Sequence, residues 1–218
     1  MSRARTAVLV SGSGSNLQAL LDAARDPGFP AEVALVISNV AGVRALERAR
    51  SSGVETRVVD HRRFDDRESF DAELAGLIRS RDCSIVCLAG FMRILTAGFV
   101  AAWPDRVLNV HPSLLPLFPG LHTHQRVLDA GMAIAGCTVH LVSRNLDAGP
   151  IVAQAAVPVL PGDTAERLAA RVLVQEHRIY PLALALLAAG RVRVENGRVL
   201  LDAPLPDPKQ AVAVPDRA

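Results

Sequence analysis

The sequence contains no run approaching the roughly 18 apolar residues that a membrane-spanning helix needs. Its first apolar stretch, Ala7 to Val10, is too short for the core of a secretion signal and runs straight into a glycine loop. Lysine is nearly missing: Lys209 is the only one, and the remaining positive charge is arginine. Excess charge of either sign is missing too, since 24 basic side chains meet 22 acidic ones for a formal net charge of +2. That leaves no basic footprint of the kind a nucleic-acid binder presents. Cysteine is scarce. Cys83, Cys87 and Cys137 form no CxxC pair, and an odd number builds no disulfide framework. These absences point to a cytoplasmic protein of a reducing compartment, with neither nucleic acid nor membrane as partner.

What is present is a core. Of 218 residues, 50% are apolar and 21% charged, a globular composition that excludes disorder of the whole chain. Short apolar runs alternate with helix-length segments. Strands are expected at Thr6–Val10, Val33–Ser38, Thr56–Val59, Ser84–Leu88 and Arg106–Val110. Helices are expected from about Asn16 to Arg25, over Val43–Ser51 and over Asp66–Ser80, where Phe70, Leu74, Leu77 and Ile78 repeat at a helical period. Near-continuous apolar strands separated by helices imply an α/β fold: an open, mostly parallel sheet flanked by helices on both faces.

The pattern changes after the fifth strand. His111–His122 carries three prolines and must be a loop. A short helix (Thr123–Ala130) and two strands (Cys137–Ser143, Ile151–Val157) follow, the strands joined by the turn LDAGP as a hairpin or antiparallel addition. A long helix over Ala165–Ala189 has Thr164 or Asp163 as N-cap and Gly190 as C-cap. A final hairpin turns at Asn196-Gly197. The reading is one domain over residues 1–202 with a mobile tail from Ala203.

In open α/β sheets, ligands sit beyond the carboxyl ends of the strands. Ser11-Gly12-Ser13-Gly14-Ser15-Asn16 stands at such an end. It lacks the third glycine of a dinucleotide fingerprint, where Leu17 stands, and the lysine of a Walker loop. Two readings remain: a small phosphate pocket of backbone amides and hydroxyls, or a tight turn capped by Asn16. Asn109 and His111 alternate on the fifth strand and so share one of its faces. Asp147 lies in the LDAGP turn, where small neighbours leave its carboxylate room. An amide, an imidazole and a carboxylate suit acyl transfer without a covalent intermediate. Each alone also has a structural explanation, as a cap, a core histidine or a turn residue. His122 and His124 stand two apart with no third ligand at familiar spacing, a poor basis for a metal. His140 and His177 read as structural, or as support for a neighbour.

Taken together, VLVSGSGSNLQALL, CLAGFMRILTAGF, NVHPSLLPLFPGLHTHQ and DAGPIVAQ resemble the phosphoribosylglycinamide formyltransferase family, over roughly Ala7 to Arg193. The resemblance implies a Rossmann-like formyltransferase fold with an antiparallel C-terminal part. It implies transfer of a formyl group from the cosubstrate 10-formyltetrahydrofolate to the glycyl amine of N1-(5-phospho-D-ribosyl)glycinamide, in purine biosynthesis, with no metal. Position by position, it makes Asn109, His111 and Asp147 catalytic and has Gly14, Ser15, Asn16 and Glu176 bind the ribonucleotide. Arg67, Met92, Arg93, Ile94, Leu95 and Asn109 would line the folate site. Leu117 departs from the lysine that many bacterial relatives carry. A side chain at Gly14 is expected to intrude on the phosphate and weaken ribonucleotide binding tenfold or more, about 1.4 kcal/mol.

Rival readings are another folate-dependent formyltransferase, a formyltetrahydrofolate hydrolase, or a non-catalytic binder of a phosphorylated metabolite. A methionyl-tRNA formyltransferase would need a second, RNA-facing domain, for which nothing after Gly190 is long enough. The protein is expected to act on small molecules, as a monomer or homodimer.

Overall fold

All nine strands suggested by the sequence form, with ends displaced by no more than three residues. The structure, a computed structural model, describes residues 2–202 and the backbone of residues 212 and 213. Contacts divide the chain into two compact units, Met1–Asn109 and Val110–Ala218.

In the first unit, β1 (Ala4–Val10) pairs in parallel with β2 (Ala31–Ser38) and with β4 (Ile85–Leu88). Further out, β2 pairs with β3 (Glu55–Val58), and β4 with the start of β5 (Val107–His111), again in parallel. The centre of this sheet is dry. Ala7, Val8, Leu9 and Val10 have no exposed surface, and all four residues of β4 are buried. Two-sided burial is why these strands read as unbroken apolar runs. Helices α1 (Ser15–Ala23), α2 (Arg44–Ser51), α3 (Arg67–Arg79) and α4 (Ala97–Ala102) occupy the connections. The α3 N-cap Asp66 accepts the Ser69 N–H at 2.7 Å, and the α4 N-cap Thr96 accepts that of Phe99 at 3.2 Å. No sequence expectation covered α4, whose six residues are too few to show a helical period. Because β1 and β4 are parallel neighbours, their carboxyl ends lie side by side, and so do the loops that leave them.

In the second unit, α5 (Thr123–Asp129) precedes β6 (Ile134–Leu141) and β7 (Ile151–Pro158), which pair antiparallel as the LDAGP turn suggested. The 24-residue α6 (Ala165–Ala188) packs on both strands. Its N-cap is Thr164, whose hydroxyl accepts the Arg167 N–H, and Gly190 stands past its end at φ 70°. A hairpin of β8 (Val192–Glu195) and β9 (Arg198–Leu201) turns on Asn196 and Gly197, both at positive φ. A two-residue β10 (Val212–Ala213) pairs antiparallel with β7. The mobile tail expected from Ala203 otherwise lies outside the described residues. The fold class is the expected one, an open and mostly parallel α/β sheet with an antiparallel C-terminal part. Among the described residues no helix is long and apolar enough to cross a membrane.

Candidate active site

The glycine loop runs directly into a helix. The first residue of α1 is Ser15, so Asn16 lies inside the helix, not at its cap. The N-cap position belongs to Gly14, which offers no side chain to the first-turn N–H groups. Ser11 to Asn16 line a cavity of about 260 Å³ together with Ala89, Gly90 and Met92. The glycine loop and the beginning of the Met92–Leu95 segment thus face one space.

Gly14 has a packing reason of its own, beside any part in a phosphate site. Its φ is +71°, and a Cβ built on it would lie 2.6 Å from Ala45 Cβ and 2.7 Å from Ala45 Cα in α2. A side chain there would strike the neighbouring helix. Gly14→Val should therefore cost stability first, roughly 3 kcal/mol from overpacking and left-handed backbone combined. Urea unfolding measures this, and an unchanged midpoint would refute the packing account.

The other residues expected at the folate site lie along one path. Met92 and Ile94 are exposed, at 65% and 59%, while Arg93 and Leu95 are half-buried. Arg67 is the first residue of α3, exposed, one turn before Asp71. Asp71 is buried, and its Oδ2 accepts the Thr96 N–H at 2.6 Å, just past Leu95. Burial pushes the Asp71 carboxyl above its ordinary value, although the Thr96 N–H works against the shift.

In the second unit, His111 and Asp147 meet, as the sequence proposed. His111 Nδ1 lies 3.5 Å from Asp147 Oδ2, with 7% of each side chain exposed. The other ring nitrogen, Nε2, is 3.0 Å from the Phe118 carbonyl. Both nitrogens therefore face oxygen acceptors. Asp147 Oδ2 also accepts the Gly120 N–H at 2.8 Å. Its backbone is left-handed, at φ 50°, a conformation Asp tolerates better than most residues. Gly149 in the same turn does more than leave room, because a Cβ there would lie 1.7 Å from the Leu141 carbonyl oxygen.

Asn109 is half-buried, two residues before His111, on the same face of β5. Glu176 is buried in α6, and its charge helps raise the Cys137 thiol of β6, whose shift comes mainly from burial.

Sequence reasoning assigned no role to Asn39 and at most a supporting one to His140. His140 is buried with Nε2 3.9 Å from Asp147 Oδ1, and burial lowers its pKa, although Asp147 and the Leu141 carbonyl work against the shift. Ser11 and Asn39 hydrogen-bond to each other. Ser11 belongs to the loop read as a phosphate pocket or a tight turn, while the only sequence signal of Asn39 is its place just past a parallel strand. His122 is exposed and His124 half-buried, its pKa lowered by burial. Among the described residues no group of three or more His, Cys, Asp or Glu stands together as a metal site.

Known proteins can be set beside this geometry. The formyl transferase family matches residues 4–184. The phosphoribosylglycinamide formyltransferase of Escherichia coli is 46% identical over 195 residues, covering 89% of this chain and 92% of that protein. The trifunctional purine biosynthetic protein adenosine-3 of Bos taurus is 51% identical over 198 residues, 90% of this chain. The chain spans only 20% of that longer relative. In structure, glycinamide ribonucleotide transformylase 1 from Symbiobacterium toebii superposes with a TM-score of 0.89 at 49% identity, over 91% of this chain and 94% of that one.

Proposed function

The chain belongs to the formyl transferase family, among the phosphoribosylglycinamide formyltransferases, and from that premise we propose how it carries out formyl transfer. The donor is 10-formyltetrahydrofolate and the acceptor is the glycyl amine of N1-(5-phospho-D-ribosyl)glycinamide. The observation that carries the reading is the His111 ring, held between the Phe118 carbonyl and the Asp147 carboxylate.

The amine attacks the formyl carbon and forms a C–N bond, and the carbonyl oxygen takes up the negative charge. Asn109 donates a hydrogen bond to that oxygen, and the His111 imidazolium supplies a facing positive charge. Asp147 balances the imidazolium and helps carry the proton from the attacking nitrogen to N10 of the folate. The bond from the formyl carbon to N10 then breaks, releasing tetrahydrofolate. No covalent enzyme intermediate and no metal is needed. Gly14, Ser15 and Asn16 hold the phosphate against the α1 N-terminus, where backbone N–H groups and the helix dipole favour an anion. Glu176 contacts the ribonucleotide, while Arg67 and Met92 to Leu95, with Asn109, receive the folate.

A single formyltransferase domain over residues 1–202, as monomer or homodimer, completes the reading. The three buried free cysteines fit a reducing cytoplasm.

Purified protein incubated with the ribonucleotide and formyl-folate should release deformylated folate only when both are present. Release of formate without the ribonucleotide would make the protein a hydrolase instead. Binding of the ribonucleotide with no turnover would make it a non-catalytic binder.

A further inference from the structure

The segment between β4 and α4 presents apolar side chains to solvent, with Met92 65% and Ile94 59% exposed. Little burial of its own holds such a segment in place. Its main-chain anchors must do so, and one of them begins in the glycine loop. The Met92 N–H donates to Ser11 Oγ at 2.8 Å, across 81 positions of sequence. With its lone pair engaged, the Ser11 hydroxyl donates its one proton to Asn39 Oδ1 at 2.6 Å. Asn39 is buried at the end of β2, and its Nδ2 lies 3.2 Å from His61 Nδ1. His61 Nδ1 also lies 3.4 Å from the Asn39 carbonyl oxygen. With the His61 proton on Nε2, Nδ1 accepts from the closer Asn39 amide, and all three hydrogen bonds run in one direction. The His61 ring stands edge-on to Phe70, and Phe70 stacks on Phe91, the residue before Met92.

We propose that Asn39 and His61 are positioning residues, which orient the Ser11 hydroxyl so that it holds the Met92 main chain at a fixed place beside the glycine loop. Ser11 and Met92 line the same cavity, so the tether fixes the distance between the two loops that receive the two substrates. This inference rests on the formyl-transfer reading for its consequence, though not for its geometry. Neither Asn39 nor His61 needs to touch a substrate. Their effect passes through Ser11 to one backbone N–H.

Two variants test the tether in the intact protein. Asn39→Ala removes the acceptor of the Ser11 hydroxyl, and His61→Ala removes the acceptor of the Asn39 amide. Each should raise KM for formyl-folate, by about fivefold for Asn39→Ala and about twofold for His61→Ala, the scale of one neutral hydrogen bond. The value of kcat should stay within about twofold, because the reacting groups are untouched. Amide hydrogen exchange at Met92, measured by NMR without ligands, should quicken in the same order. The double variant should match Asn39→Ala alone, because the three groups act as one chain.

Unchanged Met92 exchange in both variants would overturn the tether, as would effects that multiply in the double variant. A fall in kcat at constant KM would overturn the positioning role. Should the buried Asn39→Ala fail to fold, the half-buried His61→Ala carries the same KM and exchange readings. Absence of formyl transfer by the unaltered protein would defeat the proposed function, while the exchange result would still decide the tether.

Discussion

His111→Ala should lower kcat by at least about a hundredfold, equivalent to about 2.7 kcal/mol of transition-state stabilisation, while the protein remains folded. The size follows from what the ring is asked to do. In the proposed mechanism a negative charge develops on the formyl oxygen, and the imidazolium is the positive charge that meets it. That the fold survives follows from what the ring leaves behind. The Phe118 carbonyl lies 3.1 Å from the Ser113 hydroxyl, but that hydroxyl's one proton is engaged more closely by the Leu117 carbonyl, at 2.6 Å. Asp147 Oδ2 keeps the Gly120 N–H. Phe118 and Asp147 are both half-buried residues, so the full penalty for a buried, orphaned group does not arise. Steady-state kinetics and a urea midpoint on the same preparation separate the two effects. Near-normal turnover in a folded variant would remove His111 from the chemistry.

Placement along the chain was legible where it is local. Asn109 and His111 share a strand face by simple alternation, and Asp147 sits in a recognisable turn. That the three serve one site was implied by the resemblance of the motifs, since His111 and Asp147 come from distant stretches of the chain. The strands were legible because two-sided burial leaves an unbroken apolar signature, as in Ile85 to Leu88. Long-range contacts were not. Nothing near Ser11 indicates that its hydroxyl will meet the Met92 N–H, since that meeting depends on β1 and β4 being neighbours. Gly14 is an intermediate case. The residue was recognised for a phosphate site, but the approach of α2 through Ala45, which also demands a glycine there, left no mark in the sequence. A glycine marks close approach without saying what approaches. His140 was read as structural, or as support for a neighbour. Its place 3.9 Å from Asp147 needs the pairing of β6 with β7.

Asp147→Asn should lower kcat by at least about a hundredfold as well, and it is the cleaner test of the pair. The choice of Asn is dictated by the backbone. At φ 50° the residue is left-handed, a conformation that Asn and Asp adopt at little cost. Asp147→Ala would lose the charge and strain the turn together, and its rate loss would be ambiguous. Asn keeps an oxygen for the Gly120 N–H, so the loop that follows His111 can stay where it is. What disappears is the negative charge 3.5 Å from His111 Nδ1. Without that charge the imidazolium has no counter-ion in a site where 7% of either side chain is exposed, and the amine proton loses its acceptor. His140, with Nε2 3.9 Å from the other carboxylate oxygen, brings no negative charge to replace the one lost. The loss should fall on kcat, with KM for both substrates within about threefold, since a group acting in the transition state contributes little to ground-state binding. Asp147→Ala should be equally slow and also less stable, by about 1 kcal/mol, on account of the left-handed backbone. If Asp147→Asn kept full turnover while Asp147→Ala lost it, the role of Asp147 would be to shape the turn, and proton transfer would have to be sought elsewhere.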